Sequence, residues 1–201
     1  MKRIIFATGN EGKMKEIRMI LADLQVPVLS MKEAGLQTEV EENGKSFAEN
    51  ADIKATAIQK LSPEDIVLAD DSGLEIDALN GEPGIYSARY MGEHTSYDIK
   101  NNALLQRLEN VPAEKRTARF VCAIAAVFPD QGTVTSCCTM EGRIADHIAG
   151  ENGFGYDPIF WLDECGCTSA EVTPEKKNEL SHRGKALREI KKKMEAYMSR
   201  E

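Results

Sequence analysis

The sequence predicts an α/β fold, because short apolar runs alternate with segments of helical spacing. Arg3 to Ala7 is the first apolar run, and Thr8 to Asn10 forms the turn after it. The helix that follows is indicated by apolar residues three and four positions apart: Met14, Ile17, Leu21 and Leu24. A chain of 201 residues with 42% hydrophobic and 29% charged positions suits one domain, and we expect residues 1–201 to form it without a linker.

Helices and strands continue to alternate in the first half of the chain. A second helix is predicted from about Ser46 to Leu61, and a strand from Ile66 to Ala69. Residues 70–73, Asp-Asp-Ser-Gly, are typical of a turn, and a short strand follows near residues 74–76. This alternation favours a sheet with helices packed on it.

The second half of the chain predicts a hairpin between two helices. A loop rich in glycine and proline at residues 81–92 precedes a helix from Tyr97 to Leu108. The apolar run 120–128, a turn and the run 133–140 predict a long β-hairpin. A final helix is indicated by one apolar stripe: Leu187, Ile190, Met194 and Tyr197.

Charge and hydropathy exclude several classes of protein. The net charge of −8 argues against binding nucleic acid or membrane surfaces through their phosphates. The longest apolar run, Phe120 to Phe128, has nine residues, well short of the roughly 20 that span a bilayer. The N-terminus also lacks the apolar core of a signal peptide. We therefore expect a cytoplasmic protein with no nucleic-acid or membrane partner.

The charges are unevenly distributed along the chain. From Lys32 to Asp98 there are five cations and 15 acids, whereas Glu175 to Glu201 holds nine cations and five acids. An acidic middle and a basic tail suit a ligand that is itself anionic and metal-bound.

The five cysteines do not indicate a disulfide framework or a zinc site. Their number is odd and no Cys-x-x-Cys pair occurs. Reduced, mostly buried thiols are the prediction.

The turn between the first strand and helix is a candidate anion site. Thr8, Gly9 and Asn10 precede the helix, where backbone N–H groups and the helix dipole favour a negative charge, and Lys13 adds a cation. The segment is not a Walker A loop, because Met14 stands where that loop has Ser or Thr. A helix capped by Asn10, with Lys13 facing solvent, is the alternative interpretation.

Lys54 is predicted to face inward. It lies on the apolar stripe of the second helix, seven residues after Phe47 and four before Ile58. The long side chain of such a lysine can simply reach along the stripe to water. A site that binds phosphate explains the inward charge directly.

Two groups of carboxylates are candidate magnesium ligands. Asp70 and Asp71 follow an apolar strand and should point to opposite faces, so only one of them faces a given site. A second acidic cluster precedes Gly44: Glu39, Glu41 and Glu42. A carboxylate from each segment suits a magnesium ion that also takes phosphate and water. Considered alone, Asp-Asp-Ser-Gly is more often an ordinary acidic turn.

Two C-terminal segments carry candidate ligand-binding residues. In the Phe-Gly-Tyr-Asp segment, glycine lets the backbone approach a ligand, Phe154 can stack on a ring and Asp157 can accept hydrogen bonds. Ser181 is a predicted N-cap, which puts His182 and Arg183 in a first turn, where the helix dipole disfavours cations. This local conflict indicates recognition. The alternative is that Arg183 contacts an acidic neighbour.

Taken together, these segments resemble the inosine triphosphate pyrophosphatase family, the XTP/dITP diphosphatases. Seven motifs carry the likeness, in order and over nearly the whole chain: TGNxGK (8–13), EENG (41–44), FAENAxxKA (47–55), ADDSGLxxD (69–77), PGIYSARY (83–90), GFGYDPIF (153–160) and SHRGKA (181–186). The region from Asp163 to Val172 is richer in cysteine than is usual for the family. The resemblance implies an α/β fold, a long, mixed, twisted sheet with flanking helices that form two lobes around a central cleft, and a homodimer.

The same resemblance implies a role for each candidate residue. The residues that would hold the triphosphate are Thr8, Gly9, Asn10, Lys13, Lys54 and Ser72. Glu42 and Asp71 would hold Mg2+, and Asp71 would also be the catalytic general base. The residues of the base pocket would be Phe154, Gly155, Tyr156, Asp157, Lys177, His182 and Arg183.

The implied reaction is hydrolysis of ITP, dITP and XTP to the monophosphate and pyrophosphate, which clears deaminated purines from the nucleotide pool. The residue types support it, since cations from distant segments can gather around one polyanion and magnesium relieves the repulsion between carboxylates and phosphate. A non-catalytic purine nucleotide sensor is the alternative function, although binding alone gains little from a base beside a metal. A phosphotransferase is disfavoured by the missing Walker Ser or Thr.

Overall fold

The computed structural model describes residues 3–199. The strands in this range are β1 (Ile4–Phe6), β2 (Val28–Ser30), β3 (Ile66–Ile76), β4 (Thr117–Phe128), β5 (Gly132–Ile144), β6 (Phe160–Leu162) and β7 (Cys167–Thr168). They form one sheet in the order β2-β1-β3-β4-β5-β6-β7. Strand β1 is parallel to β2 and β3, whereas β6 is antiparallel to β5 and β7. The prediction of an α/β fold with a mixed sheet is confirmed.

The helices flank this sheet and bury the apolar stripes that the sequence predicts. They are α1 (Glu11–Leu21), α2 (Phe47–Gln59), α3 (Tyr97–Arg107), α4 (Pro174–Leu180) and α5 (His182–Met198). The stripe of α5 is buried with that of α1 in a core that includes Ile4 and Phe6 of β1. Each such side chain contributes roughly 1.5–3 kcal/mol when fully buried. Within residues 3–199, none of the helices is long and apolar enough to cross a membrane.

The chain divides into two compact units. Within the described residues, unit 1 comprises residues 3–71, 122–138 and 182–199, and unit 2 comprises residues 72–121 and 139–181. Each unit has an apolar core of its own. Strands β3, β4 and β5 contribute residues to both units. The single domain predicted from the sequence stays a prediction.

The turn predicted at residues 70–73 is wrong. Strand β3 runs through these residues without interruption. Both aspartates find partners there, since Asp70 accepts a hydrogen bond from Lys13 and Asp71 accepts one from Asn50. A strand can carry two consecutive buried carboxylates when each is paired in this way.

Other predicted elements need smaller corrections. Helix α2 ends at Gln59, so Leu61 lies beyond it and is 51% exposed. The predicted hairpin and the helix that begins at Tyr97 are confirmed as β4, β5 and α3. The elements that were not predicted are β2, β6, β7 and α4, which are too short to give a periodic signal.

The cysteines are less buried than predicted. None of the five, all within residues 3–199, forms a disulfide bond. Cys122 is buried, Cys137 is exposed and the other three are half-buried.

Candidate active site

The junction between β1 and α1 has the capping geometry that its sequence predicts. The Asn10 side chain accepts a hydrogen bond from the Lys13 backbone N–H at 3.0 Å. The Asn10 N–H donates to Thr8 Oγ1 at 3.1 Å. The N-cap role of Asn10 is therefore confirmed. Gly9 and Asn10 are both exposed, so this turn is open to a ligand.

Asp70 is the centre of a buried, charged cluster in unit 1. The carboxylate is 1% exposed and accepts hydrogen bonds from Lys13 Nζ at 3.0 Å and from Arg183 Nε and Nη2 at 3.2 Å. Burial by itself raises the pKa of this carboxyl, but Lys13 and Arg183 outweigh that effect and hold the pKa of Asp70 well below its ordinary value. Asp70 is therefore ionised at neutral pH.

Arg183 is neutralised by two carboxylates. Besides its bonds to Asp70, its Nη1 donates to Glu16 Oε2 at 2.6 Å, and the residue is 3% exposed. The acidic neighbour considered as an alternative for Arg183 is therefore present. His182, the first residue of α5, is buried as well. A base-binding role for His182 and Arg183 stays a prediction.

Lys54 pairs with one of the two predicted magnesium ligands. Its Nζ forms an ion pair with Glu42 Oε1 and lies 3.5 Å from the Asp70 backbone oxygen. The side chain is mostly buried, which confirms that Lys54 faces inward. A lysine that neutralises Glu42 can equally neutralise a phosphate oxygen.

Asn50 connects the segments that carry Glu42 and Asp71. This fully buried amide donates to Asp71 Oδ2 at 2.9 Å and accepts from the Gly44 N–H at 2.8 Å. Gly44 leaves room for that contact, because a Cβ at this position would lie 2.7 Å from Asn50 Oδ1. One side chain thus fixes the Asp71 carboxylate relative to the loop that carries Glu42.

The pKa of Asp71 is shifted in the opposite direction from that of Asp70. Burial, helped by the nearby negative charge of Glu42, raises the pKa of Asp71 to about 6, although the Asn50 N–H opposes this. Two carboxylates that repel each other in a partly dry site are a donor set that a divalent cation stabilises.

Glu42 and Asp71 both offer carboxylate oxygens, a type of ligand that binds magnesium in proteins. Among residues 3–199 there is no group of three or more His, Cys, Asp or Glu that could hold a metal ion. In proteins that bind nucleotides, Mg2+ is usually held by one or two carboxylates, with water and phosphate oxygens as its other ligands. The residues present fit the predicted ion.

Asp157 is the centre of a second buried cluster, in unit 2. Its Oδ2 accepts hydrogen bonds from the Phe154 N–H at 2.8 Å and from Lys177 Nζ at 2.6 Å. Its Oδ1 accepts from Ser169 Oγ at 2.5 Å. Gly153 is needed beside it, because a Cβ there would lie 2.2 Å from Asp157 Oδ2. Asp157 therefore determines the shape of the loop of residues 153–157.

Phe154 and Lys177 present a ring and a cation side by side. Lys177 Nζ lies 4.7 Å from the centroid of the Phe154 ring, within the range of a cation–π contact. Tyr156 is buried and its hydroxyl donates to the Ser87 carbonyl at 2.7 Å. Burial raises the pKa of Tyr156 above its ordinary value, so this hydroxyl remains a donor.

The predicted site residues are divided between the two units. The set in unit 1 is Thr8, Gly9, Asn10, Lys13, Glu42, Lys54, Asp71, His182 and Arg183. The set in unit 2 is Ser72, Phe154, Gly155, Tyr156, Asp157 and Lys177. The residues that sequence reasoning missed are Glu16, Asn50 and Ser169. Helical spacing could have indicated Asn50, because it lies four residues before Lys54 on the buried face of α2.

Comparison with known proteins places the chain in a family. The chain belongs to the Ham1 family, whose model matches residues 4–193. This confirms the resemblance drawn from the seven motifs.

Individual relatives match over almost their whole length. The chain is 47% identical over 191 residues to the dITP/XTP pyrophosphatase of Caldanaerobacter subterraneus subsp. tengcongensis, covering 95% of each chain. It is 48% identical over 193 residues to that of Listeria innocua, covering 96% of this chain and 94% of the relative. Its fold matches the solved structure of the Staphylococcus aureus Ham1 protein with a TM-score of 0.86 at 42% identity, covering 98% of this chain and 100% of that one.

Proposed function

We propose that this protein is a magnesium-dependent nucleoside triphosphate pyrophosphohydrolase. Its substrates would be the non-canonical purine nucleotides ITP, dITP and XTP, cleaved to the monophosphate and pyrophosphate. The names of the relatives support the substrate class. The observation that carries the chemistry is the buried Asp71 carboxylate, which Asn50 holds relative to the loop that carries Glu42, the ion-pair partner of Lys54.

The groups assigned to bind phosphate belong to unit 1, except for Ser72, which belongs to unit 2. Lys13 and Lys54 would neutralise the charge on the phosphate oxygens, which phosphoryl transfer chiefly requires. The open turn of Thr8, Gly9 and Asn10 would offer backbone N–H groups at the start of α1.

Glu42 and Asp71 would hold the magnesium ion. When bound, the ion supplies positive charge that polarises the phosphorus under attack. Asp71 would orient the attacking water and take its proton on a carboxylate oxygen. Without the ion, burial raises the pKa of Asp71 to about 6, and a bound cation would favour the ionised carboxylate that can accept the proton.

The base-binding groups are assigned, on the family resemblance, to the loop of residues 153–157 and to Lys177, His182 and Arg183. Phe154 would stack on the purine, and Lys177, together with His182 and Arg183, would donate hydrogen bonds to it. Asp157 and Tyr156 would keep the loop in shape through the buried contacts described above. On the family resemblance alone, we further propose one domain per chain, a homodimer and a cytoplasmic location.

Magnesium dependence is the first expected result. With Mg2+, a panel of nucleoside triphosphates should be hydrolysed fastest for ITP, dITP and XTP. Addition of EDTA should abolish turnover and excess Mg2+ should restore it, because the two carboxylates are the predicted ligands. The measurement is product release per enzyme for each nucleotide with and without metal. Tight binding of ITP without any turnover would instead support a nucleotide sensor.

A further inference from the structure

The first turn of helix α3 contacts the loop of residues 153–157. Tyr97 and Asn101 are one turn apart on α3 and therefore share a face. The Tyr97 ring lies edge-on to the Tyr156 ring, with centroids 5.2 Å apart. It also lies against Gly155, where an added Cβ would stand 3.6 Å from Tyr97 Cε1. Helix α3, which carries none of the residues assigned above, is thus in direct contact with the loop assigned to the base.

Asn101 ties α3 to this loop with a hydrogen bond. Its Nδ2 donates to the Gly155 carbonyl at 3.1 Å, and the residue is 2% exposed. Its other amide atom, Oδ1, is buried and has no hydrogen-bond partner among residues 3–199. A buried acceptor without a partner is unfavourable, so an apolar side chain of the same size would pack better. Packing therefore does not explain an asparagine here, whereas the bond to Gly155 does.

The bond fixes a part of the loop that has unusual backbone freedom. Gly153 and Gly155 flank Phe154 and both have positive φ angles, 77° and 71°. Glycine in this region has few steric restraints of its own, so the direction of the Phe154 ring depends on what holds the peptides around it. Asp157 holds the Phe154 N–H, and Asn101 holds the Gly155 carbonyl.

We propose that Asn101 is a positioning residue for recognition of the purine base. By holding the Gly155 carbonyl, it keeps the Phe154 ring and the N–H groups of the loop in one arrangement before the base arrives. It touches no substrate itself. The inference rests on the proposed function, in which this loop binds the base. A loop that is already ordered binds more tightly, because less conformational freedom is lost on binding.

Comparing a ligand that carries a base with one that does not distinguishes a role of Asn101 in positioning the loop from a general role in folding. The variants are Asn101→Ala and Asn101→Leu, the second of which keeps the number and branching of the side-chain heavy atoms. The matched control is Asn102→Ala, because Asn102 is exposed and its Nδ2 donates to Asp98 within α3. Calorimetry with Mg2+ gives Kd for IMP, which carries a base, and for pyrophosphate, which does not. Steady-state kinetics gives KM and kcat for ITP.

We expect both Asn101 variants to raise Kd for IMP and KM for ITP about tenfold, with kcat and the Kd for pyrophosphate nearly unchanged. Asn102→Ala should behave as the parent. Unchanged Kd for IMP in both Asn101 variants would overturn the assignment. A parallel rise for pyrophosphate would also overturn it, since that result indicates a general structural role. If the parent does not hydrolyse ITP, the proposed function fails and this assignment fails with it. A parent that hydrolyses ITP leaves the proposed function standing whatever the Asn101 variants do.

Discussion

Replacement of Asp71 by asparagine is expected to lower kcat for ITP by at least ~10²-fold, since general-base catalysis is typically worth ~10²–10⁴-fold and a magnesium ligand is lost as well. The amide keeps the size of the side chain and can still accept a hydrogen bond from Asn50, so the fold should be retained. The measurement is kcat at saturating Mg2+ and ITP. Asp65→Asn is the matched control, because Asp65 pairs with Arg3 outside the site. Near-parental turnover in Asp71→Asn would remove the residue from the mechanism.

Asp71→Asn is also expected to change the pH dependence of stability in the absence of metal. The folded-state pKa of Asp71 is about 6, above its ordinary value of 3.8, because burial disfavours the charged form. The folded state therefore binds more protons between these two values, and stability falls as the pH rises through that window. Above pH 6 the full penalty applies, on the order of 2–3 kcal/mol.

Asp71→Asn removes this penalty. In EDTA the variant should have a higher Tm than the parent at pH 8, and the difference should be much smaller near pH 4. Thermal unfolding followed by circular dichroism at both pH values makes the comparison. A variant that is less stable than the parent at pH 8 would show that the Asp71 carboxylate is stabilised when charged, against the electrostatics described above.

Discrimination against adenine is the second large effect. We expect kcat/KM for ITP to exceed that for ATP by at least ~10², because sites built around hydrogen bonds to one group can reject its analogue by ~10⁴–10⁵. Inosine and xanthosine present a carbonyl at purine C6, where adenosine presents an amino group. A pocket that donates hydrogen bonds from Lys177, Arg183 or backbone N–H groups therefore meets an acceptor in inosine and xanthosine. In adenosine it meets another donor. Stacking on Phe154 is available to every purine and does not discriminate.

Arg183 needs a substitution that keeps its buried charge. Arg183→Ala would leave Asp70 and Glu16 without their shared cation, and breaking a buried pair typically costs about 3–5 kcal/mol. Arg183→Lys retains a positive charge but not the planar set of donors. We expect it to lower the ratio of kcat/KM for ITP to that for ATP, chiefly through ITP. An unchanged ratio would assign Arg183 to the Asp70 cluster alone, and comparable efficiencies of the parent on ITP and ATP would contradict the proposed base recognition.

The parts of the fold that sequence predicts are those with local causes. The buried stripes of α1 and α5 follow from helical spacing, and the N-cap of α1 follows from the preference of Asn10 for that position. The inward direction of Lys54 follows from the stripe of α2 in the same way.

The rest depends on contacts between distant residues. The carboxylates of Asp70 and Asp71 in strand β3 are paired with Lys13, 57 residues away, and with Asn50, 21 residues away. Arg183 reaches Asp70 across 113 residues, and no local pattern distinguishes that pairing from a contact with a ligand. Likewise, Asp-Asp-Ser-Gly has the composition of a turn, but it lies in β3, which has a neighbouring strand on each side in the sheet.

Cleavage of ITP in water enriched in ¹⁸O, followed by phosphorus NMR, tests the proposed reaction most directly. A pyrophosphohydrolase that directs water to the α-phosphorus produces IMP and pyrophosphate in equal amounts, without orthophosphate or a diphosphate intermediate. The ¹⁸O then appears in the phosphate of IMP, because the oxygen of the attacking water stays on the phosphorus it attacks. Formation of IDP with orthophosphate, or ¹⁸O in the pyrophosphate, would contradict the account.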